Sequence, residues 1–235
     1  MTDLSNPTAV RLNELLRAAS LTPLDAPIAN QFGTYCALLL RWNARTNLTA
    51  IRDEEGILSR HFVESIACAR ALPSGVVTLL DFGSGAGFPG IPIALCRPEI
   101  TVTLAESQSK KAAFLREVAR TLDLSTKIHS ARAETLTRKF DCVILRAVDH
   151  MGLAAQAATD LVAPEGWLAL MTTTPELDSL KASIDPEFVF SPSVLLPGGE
   201  SRVLALAQRP VLKPRCSTWN SPSQAGQCST WNKPS

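Results

Sequence analysis

No run of about 18 uninterrupted apolar residues occurs in this chain of 235 residues, so no membrane-spanning helix is expected. The first residues, Met1 to Pro7, carry neither a basic segment nor an apolar stretch, and a secretory signal is not expected either. The six cysteines include no Cys-x-x-Cys pair and no Cys/His cluster, which argues against a zinc site or a disulfide scaffold. No bound metal is expected. Cys36, Cys68, Cys96 and Cys142 lie inside apolar segments and read as small core residues in a reducing cytoplasm. A surplus of one charge is also missing, with Lys+Arg 23 against Asp+Glu 22. No evident Ser-His-Asp, Cys-His or paired-carboxylate site is present. What is present is a 46% hydrophobic fraction, ample for a packed core. The length suits an α/β domain with a helical extension.

The near-neutral total hides an uneven distribution. Residues 107–146 carry nine basic and four acidic side chains, residues 147–206 two and eight, and residues 207–235 four basic ones and no acid. A basic middle and tail therefore flank an acidic region.

Three helical runs are expected first. Val10, Leu12, Leu15, Leu16 and Ala19 fall near helical spacing, and Phe32, Cys36, Leu39, Leu40 and Trp42 mark one face of a run from Ala29 to Arg45. After a polar break, Glu54 to Leu72 repeats the pattern until Pro73-Ser-Gly75 ends it. The texture then alternates. Strands are expected at Val76–Leu80, Ile100–Leu104, Lys127–His129, Cys142–Leu145 and Trp167–Met171. Helices over Gly90–Cys96, Ser109–Leu122 (with Ala113, Leu115, Val118 and Leu122 inward) and Gly152–Val162 lie among them. Such alternation means βαβ units and a parallel sheet. Phe188–Leu196 and Arg202–Ala207, separated by Pro197-Gly-Gly199, read as a closing antiparallel pair. The expected division is a helical extension over 1–72, a Rossmann-like α/β domain over 73–207 and a flexible tail over 208–235.

Asp81-Phe-Gly83-Ser-Gly85-Ala-Gly87-Phe-Pro89-Gly90 carries the most chemistry. Glycines are needed where backbone approaches a ligand closely or takes a positive φ. Pro89 is placed to open a helix whose first amides favour an anionic group. Gly85 to Gly90 satisfies G-x-G-x-x-G, so an NAD-linked oxidoreductase is one reading; yet Gly85 lies four residues beyond the strand end rather than directly after it. An acidic strand end followed by Gly-x-Gly-x-Gly instead resembles motif I of class I methyltransferases that use S-adenosylmethionine. Glu106, at the end of the second strand, is placed to accept hydrogen bonds from ribose hydroxyls.

The match widens. Trp42-Asn43, Asn47-Leu48-Thr49-Ala50-Ile51-Arg52 and Arg60-His61-Phe62-Val63-Glu64-Ser65 precede Leu80 to Pro92. Together, from about Leu12 to Ala207, the chain resembles the bacterial small-subunit (16S) ribosomal RNA methyltransferase family that forms 7-methylguanosine, the glucose-inhibited division protein B family. The resemblance implies a class I fold and a methyl group passed from S-adenosylmethionine to guanine N7 in small-subunit ribosomal RNA, free or in the particle. A cytoplasmic monomer is expected. It implies that Asp81, Gly83, Ser84, Gly85, Gly87 and Phe88 line the cofactor, that Glu106 holds its ribose and that Ala133 and Glu134 border its adenine. Arg146, ending the fourth strand, would face the reaction site and position the substrate, no general base being expected. RNA contact is expected from Arg41, Arg45, Arg52, Arg60, His61, Lys110, Lys111 and Arg116. The chain departs from the family pattern in having Glu64 for Asp, Leu145 for Ser and Thr172-Thr173 for Lys-Gly. The last change removes a substrate contact and leaves a non-catalytic RNA-binding or assembly factor as a rival.

Cys-Ser-Thr-Trp-Asn occurs at 216–220 and again at 228–232. One set of codons for it, with the next base, spells the palindrome TGTTCCACGTGGAACA, which resembles the site bound by bacterial chromosome-partition proteins. The repeat thus reads as a constraint on the gene, with the peptide a by-product.

Overall fold

The computed structural model describes residues 6–199 and 201–211. The repeated Cys-Ser-Thr-Trp-Asn segments, with Cys216 and Cys228, lie outside the described residues.

The chain opens with α1 (Pro7–Ala18) and α2 (Ala26–Asn43). Both begin as their sequences dictate. Asn6 and Asp25 accept N-cap hydrogen bonds from Thr8 (3.0 Å) and Ile28 (3.1 Å), and Pro stands in each first turn. The third expected helix is one helical run of three parts: α3 (Glu54–Gly56), a π-helical segment Ile57–Phe62, and α4 (Val63–Ala71). The inward face of α1 is Ala9, Leu12 and Leu16, while Val10 faces out.

Strands and helices then alternate: β1 (Thr78–Phe82), α5 (Gly90–Cys96), β2 (Thr101–Ala105), α6 (Ser109–Thr121), β3 (Lys127–His129), β4 (Phe140–Arg146), α7 (Met151–Thr159), β5 (Val162–Thr173) and α8 (Thr174–Ser183). On α6 the buried face is Ala112, Phe114, Leu115, Val118 and Ala119; Ala113 points outward, one position off the expected stripe. The expected strand Phe188–Leu196 is broken into β6 (Val189–Phe190) and β7 (Val194–Leu195). Both pair antiparallel with β8 (Arg202–Gln208). Arg209 is also bonded into the fold, to the carbonyls of Val162 (2.8 Å) and Thr159 (3.2 Å).

The strand order is β3-β2-β1-β4-β5-β8-β6, parallel from β3 to β5 and antiparallel at β8. The antiparallel β8 separates this sheet from the dinucleotide-binding order 3-2-1-4-5-6. One face packs in a shared core with α1, α2, α4, α5 and α6, the other with α7 and α8. The N-terminal helices are thus a layer of the same core.

Period-2 alternation decides which side chains reach which face. Leu79 and Ile144 belong to the core under the N-terminal helices, while Leu80, Phe82 and Leu145 belong to the opposite one. By the same alternation Asp81, Arg146 and Arg202 fall on the N-terminal helical side. That parity builds the site.

Candidate active site

A cavity of about 670 Å³ opens at the carboxyl ends of β1, β2 and β4, where open α/β sheets bind ligands. Its wall begins with Phe82 at the end of β1 and the loop after it: Gly83, Ser84, Gly85, Ala86 and Phe88. The amides of Gly83 and Ser84 donate to the Ala105 carbonyl at 3.1 and 2.9 Å, tying the loop to β2. Glu106 is buried beside it; its Oε2 accepts from the Gly85 amide (2.9 Å) and its Oε1 from the Gln108 amide (2.7 Å). A carboxylate offers about four lone-pair sites, so acceptor capacity remains on the cavity side. At Gly85 a Cβ would meet only the Gly83 carbonyl at 3.9 Å, leaving open space over the backbone. A ligand with a hydroxyl pair for Glu106 and a narrow polar tail for the glycines fits this wall. Ala133 and Glu134, in a 3-10 turn after β3, close the far side.

Two expected cofactor residues do not line the cavity. Asp81 points beneath the loop, fully buried, and its Oδ2 accepts the Gly90 amide at 3.0 Å. The first amide of α5 is therefore taken by a carboxylate of the chain, not left for an anionic ligand as the helix-opening Pro89 suggested. Burial pushes the Asp81 carboxyl up to about 7 against these hydrogen bonds, and its Oδ1 has no partner. Gly87 is required by packing instead. Its φ is +94°, and a Cβ would stand 2.7 Å from Ile91 Cγ1 and 2.8 Å from the Tyr35 hydroxyl. Tyr35, the lone tyrosine, donates to the Ala86 carbonyl and shapes the loop from behind.

The N-terminal layer supplies the opposite wall through Leu48, Thr49 and His61. Asn43, buried at the end of α2, delivers it. Its Nδ2 donates to the Thr49 and Ile51 carbonyls (both 3.0 Å), and its Oδ1 accepts from the Leu48 (2.9 Å) and Thr49 (3.1 Å) amides. This is the structural content of the Asn43–Ile51 motif. Asn43→Ala is expected to cost about 2–3 kcal/mol of stability by leaving buried backbone groups unmatched, read from a urea denaturation midpoint. A loss within experimental error would contradict the pinning.

His61 stacks on Phe88 with ring centroids 4.5 Å apart, and its Nε2 lies 2.8 Å from the Thr49 hydroxyl. Burial, with Arg146, Arg60 and Arg202 adding to it, pushes its pKa down to about 3. A neutral, stacked imidazole supplies no charge to a phosphate.

Arg146 is the centre of the arrangement. Its Nη2 lies 2.7 Å from Glu64 Oε2 and 2.9 Å from the Arg60 carbonyl, and its Nη1 3.4 Å from the Ser65 hydroxyl. The side chains of Arg146 and Glu64 are 8% and 1% exposed, so this is a buried ion pair. Burial drives the Glu64 carboxyl upward while Arg146, Arg202 and Arg60 pull it back. Arg202, from the start of β8, brings its Nε within 3.8 Å of Glu64 Oε1. Neither Glu64 nor Arg202 was singled out as a site residue from sequence. The available signal was a glutamate amid the apolar run Val63 to Cys68: a charge buried in a helix needs a partner. Thr172 is buried and donates to Glu176 (2.8 Å), and Arg202 pairs with Thr173 in the β5–β8 register. The site therefore carries a cation one strand over from the threonines.

Of the other expected RNA residues, Lys111 lines the cavity itself. Arg45, Arg52, Arg60 and Lys110 are exposed on α6 or on the segment from α2 to the π-helical turn, with Arg52 donating to Asn47 (2.8 Å). Arg41 is paired with Glu117, and Arg116 with Ser130, so neither is wholly free. Trp42 Nε1 also donates to Glu117 (2.9 Å), docking α2 on α6.

The chain is similar to known methyltransferases in sequence and in fold. The family model described as "rRNA small subunit methyltransferase G" matches residues 28–191. A relative named ribosomal RNA small subunit methyltransferase G from Roseiflexus sp. (strain RS-1) is 45% identical over 150 residues, 61% of this chain and 64% of its own. The chain thus spans just under two thirds of that relative's length. One of the same name from Methylobacillus flagellatus is 35% identical over 179 residues, 74% of this chain and 85% of its own. Among solved structures, a methyltransferase from Pyrococcus furiosus superposes with a TM-score of 0.56 at 14% identity, covering 74% of this chain and 98% of that one. TrmN from Thermus thermophilus gives 0.50 at 22% identity, over 66% and 53%. These likenesses establish the fold.

Proposed function

Because the chain belongs to the rRNA small subunit methyltransferase G family, we propose that it transfers a methyl group from S-adenosylmethionine to N7 of a guanine in small-subunit (16S) ribosomal RNA. The observation that carries the reading is the cavity itself, in which Glu106 and the open backbone of Gly85 stand across from a buried, fixed Arg146. S-adenosylmethionine supplies an electrophilic methyl group on a sulfonium. Glu106 takes the ribose hydroxyls, Gly83, Ser84 and Gly85 take the amino-acid tail against backbone, and Ala133 and Glu134 border the adenine. Asp81 acts from beneath, holding Gly90 and adding a negative charge behind the tail as pH rises through 7.

Guanine N7 carries an in-plane lone pair and no proton, so the site needs no general base. Its task is alignment, which supplies roughly 7–11 kcal/mol in well-oriented reactions. Arg146 beside a base that becomes cationic is unfavourable unless it holds a phosphate or O6, and its role is substrate positioning. Arg146→Lys keeps a cation for Glu64 but loses the planar fork. It is expected to lower methyl transfer about 100-fold while leaving cofactor affinity nearly unchanged; equal losses in both would remove that assignment.

Arg45, Arg52, Arg60, Lys110 and Lys111, with Arg41 and Arg116 beside them, form the RNA-facing side. Affinity for RNA is expected to fall at least about 100-fold between roughly 50 and 200 mM salt; an affinity insensitive to salt would discard the cluster. We further infer a cytoplasmic monomer acting on the RNA or on the small-subunit particle. Among the described residues no helix is long and apolar enough to cross a membrane.

The deciding experiment supplies labelled S-adenosylmethionine with naked small-subunit RNA and with assembled particles, and maps the product. Label recovered as 7-methylguanosine supports the reading. Cofactor binding without incorporation into either substrate would leave the non-catalytic RNA-binding reading, and calorimetric binding of NAD in place of S-adenosylmethionine would leave the oxidoreductase.

A further inference from the structure

Beside the glycine-loop cavity lies a second one of about 420 Å³, between the ends of β4, β5 and β8 and the helices α7 and α8. Arg146, Ala147, Val148 and Arg202 stand in the walls of both, so the two cavities meet across those residues. Its remaining walls combine the apolar Met151, Met171 and Leu180 with Thr172, Thr173 and Glu176.

We propose that this second cavity seats the nucleotide that receives the methyl group, with its phosphate on Arg202 and Arg146, its ring among the methionines, and its Watson–Crick edge read by Glu176. The proposal rests on the methyltransferase reading and adds the acceptor's place to it.

Three observations carry it. The first is contact between the sites. A methyl group passes between atoms already touching, so the acceptor's seat must share a wall with the donor's, as this cavity does. An apolar groove lined by α1, α4 and Val194 to Gly198 shares no residue with the donor cavity.

The second is an open arginine. Arg146 and Arg202 both face Glu64, while Glu176 also lines this cavity and acts on Arg202, so the walls sum to no net charge and the phosphate contact rests on the open donors of Arg202. Glu64 Oε1 is buried and has no hydrogen bond, with Arg202 Nε at 3.8 Å, and the Arg202 side chain is 31% exposed. Arg202 is thus anchored on one side and open to a ligand on the other. Arginine suits phosphate through its planar fork of donors.

The third is the polar edge. Guanine presents donors at N1 and N2, and a carboxylate accepts both; adenine presents an acceptor at N1. Glu176 is fixed by the Thr172 hydroxyl at 2.8 Å. That bond, with Thr173, holds its carboxyl below the usual range, so it is ionised at neutral pH. A guanine held there keeps N7 on the opposite edge, free for transfer. Enzymes that modify a base take it out of its stack into a pocket with apolar faces, and flexible methionines conform to a flat ring.

The test reads the seat directly. Only three methionines occur, Met1, Met151 and Met171, and the last two line the cavity. With methyl-labelled methionine and S-adenosylhomocysteine in the first site, guanosine monophosphate is expected to shift both the Met151 and Met171 signals and leave Met1 in place. Adenosine monophosphate is expected to bind more weakly, and Glu176→Gln to narrow that difference. Arg202→Ala leaves the Glu64–Arg146 pair intact and is expected to raise KM for RNA about tenfold with S-adenosylhomocysteine affinity unchanged. Unmoved Met151 and Met171 signals at saturating guanosine monophosphate, or an unchanged KM in Arg202→Ala, would overturn the seat. Methyl incorporation by the unaltered protein reports separately on the methyltransferase reading.

Discussion

Glu64→Ala is expected to lower the unfolding free energy by about 3–5 kcal/mol, the cost of leaving one member of a buried ion pair alone. The reason is the position of Arg146. Its guanidinium is almost sealed from solvent, and after the substitution the Arg60 carbonyl, the Ser65 hydroxyl and the face of the Phe88 ring are what remain to it. Water offers little relief at that depth, and an arginine does not shed its proton. Replacing both partners with apolar residues, Glu64→Leu with Arg146→Met, removes the stranded charge and is expected to regain most of the loss, but not methyl transfer. Glu64→Asp keeps the charge and shortens the arm, and falls between. Chemical denaturation of the four proteins is the measurement. A single-substitution loss under about 1 kcal/mol, typical of an exposed pair, would show that the pair contributes no more than a surface contact.

Asp81→Asn is expected to change the pH dependence of stability more than any other single replacement in the glycine loop. The Asp81 carboxyl is raised from 3.8 to about 7 by burial. A carboxyl raised in the folded state contributes stability that is fully present below its unfolded value, near 4, and lost as pH rises through 7. Between those limits the contribution changes by roughly 4 kcal/mol. Asparagine can still accept from Gly90 through its oxygen, and it carries no charge to bury. The stability of Asp81→Asn relative to the unaltered protein is therefore expected to climb between pH 4 and pH 8, groups common to both cancelling. A flat difference across that range would mean that Asp81 titrates at its ordinary value. S-adenosylmethionine affinity at pH 8 separates the two roles: if the negative charge serves the cofactor's cationic portion, the more stable variant binds it less tightly.

These two residues also mark where sequence reasoning reached and where it stopped. The alternation of strands and helices, the glycine loop and the acidic end of β2 were readable because each is local: period-2 runs, positive-φ glycines and a carboxylate placed by its strand. The family resemblance, carried by Asn43 to Arg52, Arg60 to Ser65 and the glycine loop, agrees with the family model that matches residues 28–191. Asp81 was legible as a strand-end acid, but its direction was not, because the strand continues through Phe82 and turns Asp81 under the loop. The break of Phe188–Leu196 into two short strands was hidden for a similar reason. β6 and β7 meet different parts of β8, and that pairing is not written in either segment.

The sequence by itself determined most of the elements, their order and the glycine loop, since hydrophobic period and glycine placement act over a few residues. Only the tertiary structure decided the ion-paired centre. Glu64 and Arg146 stand 82 residues apart in the chain, and Arg202 arrives on the antiparallel β8, which the sheet sets beside β5. Their meeting depends on the side-chain parity of two strands and on a helical layer packed against one face. Burial then makes their charges matter, because a carboxylate and two guanidiniums interact strongly only where water is kept out.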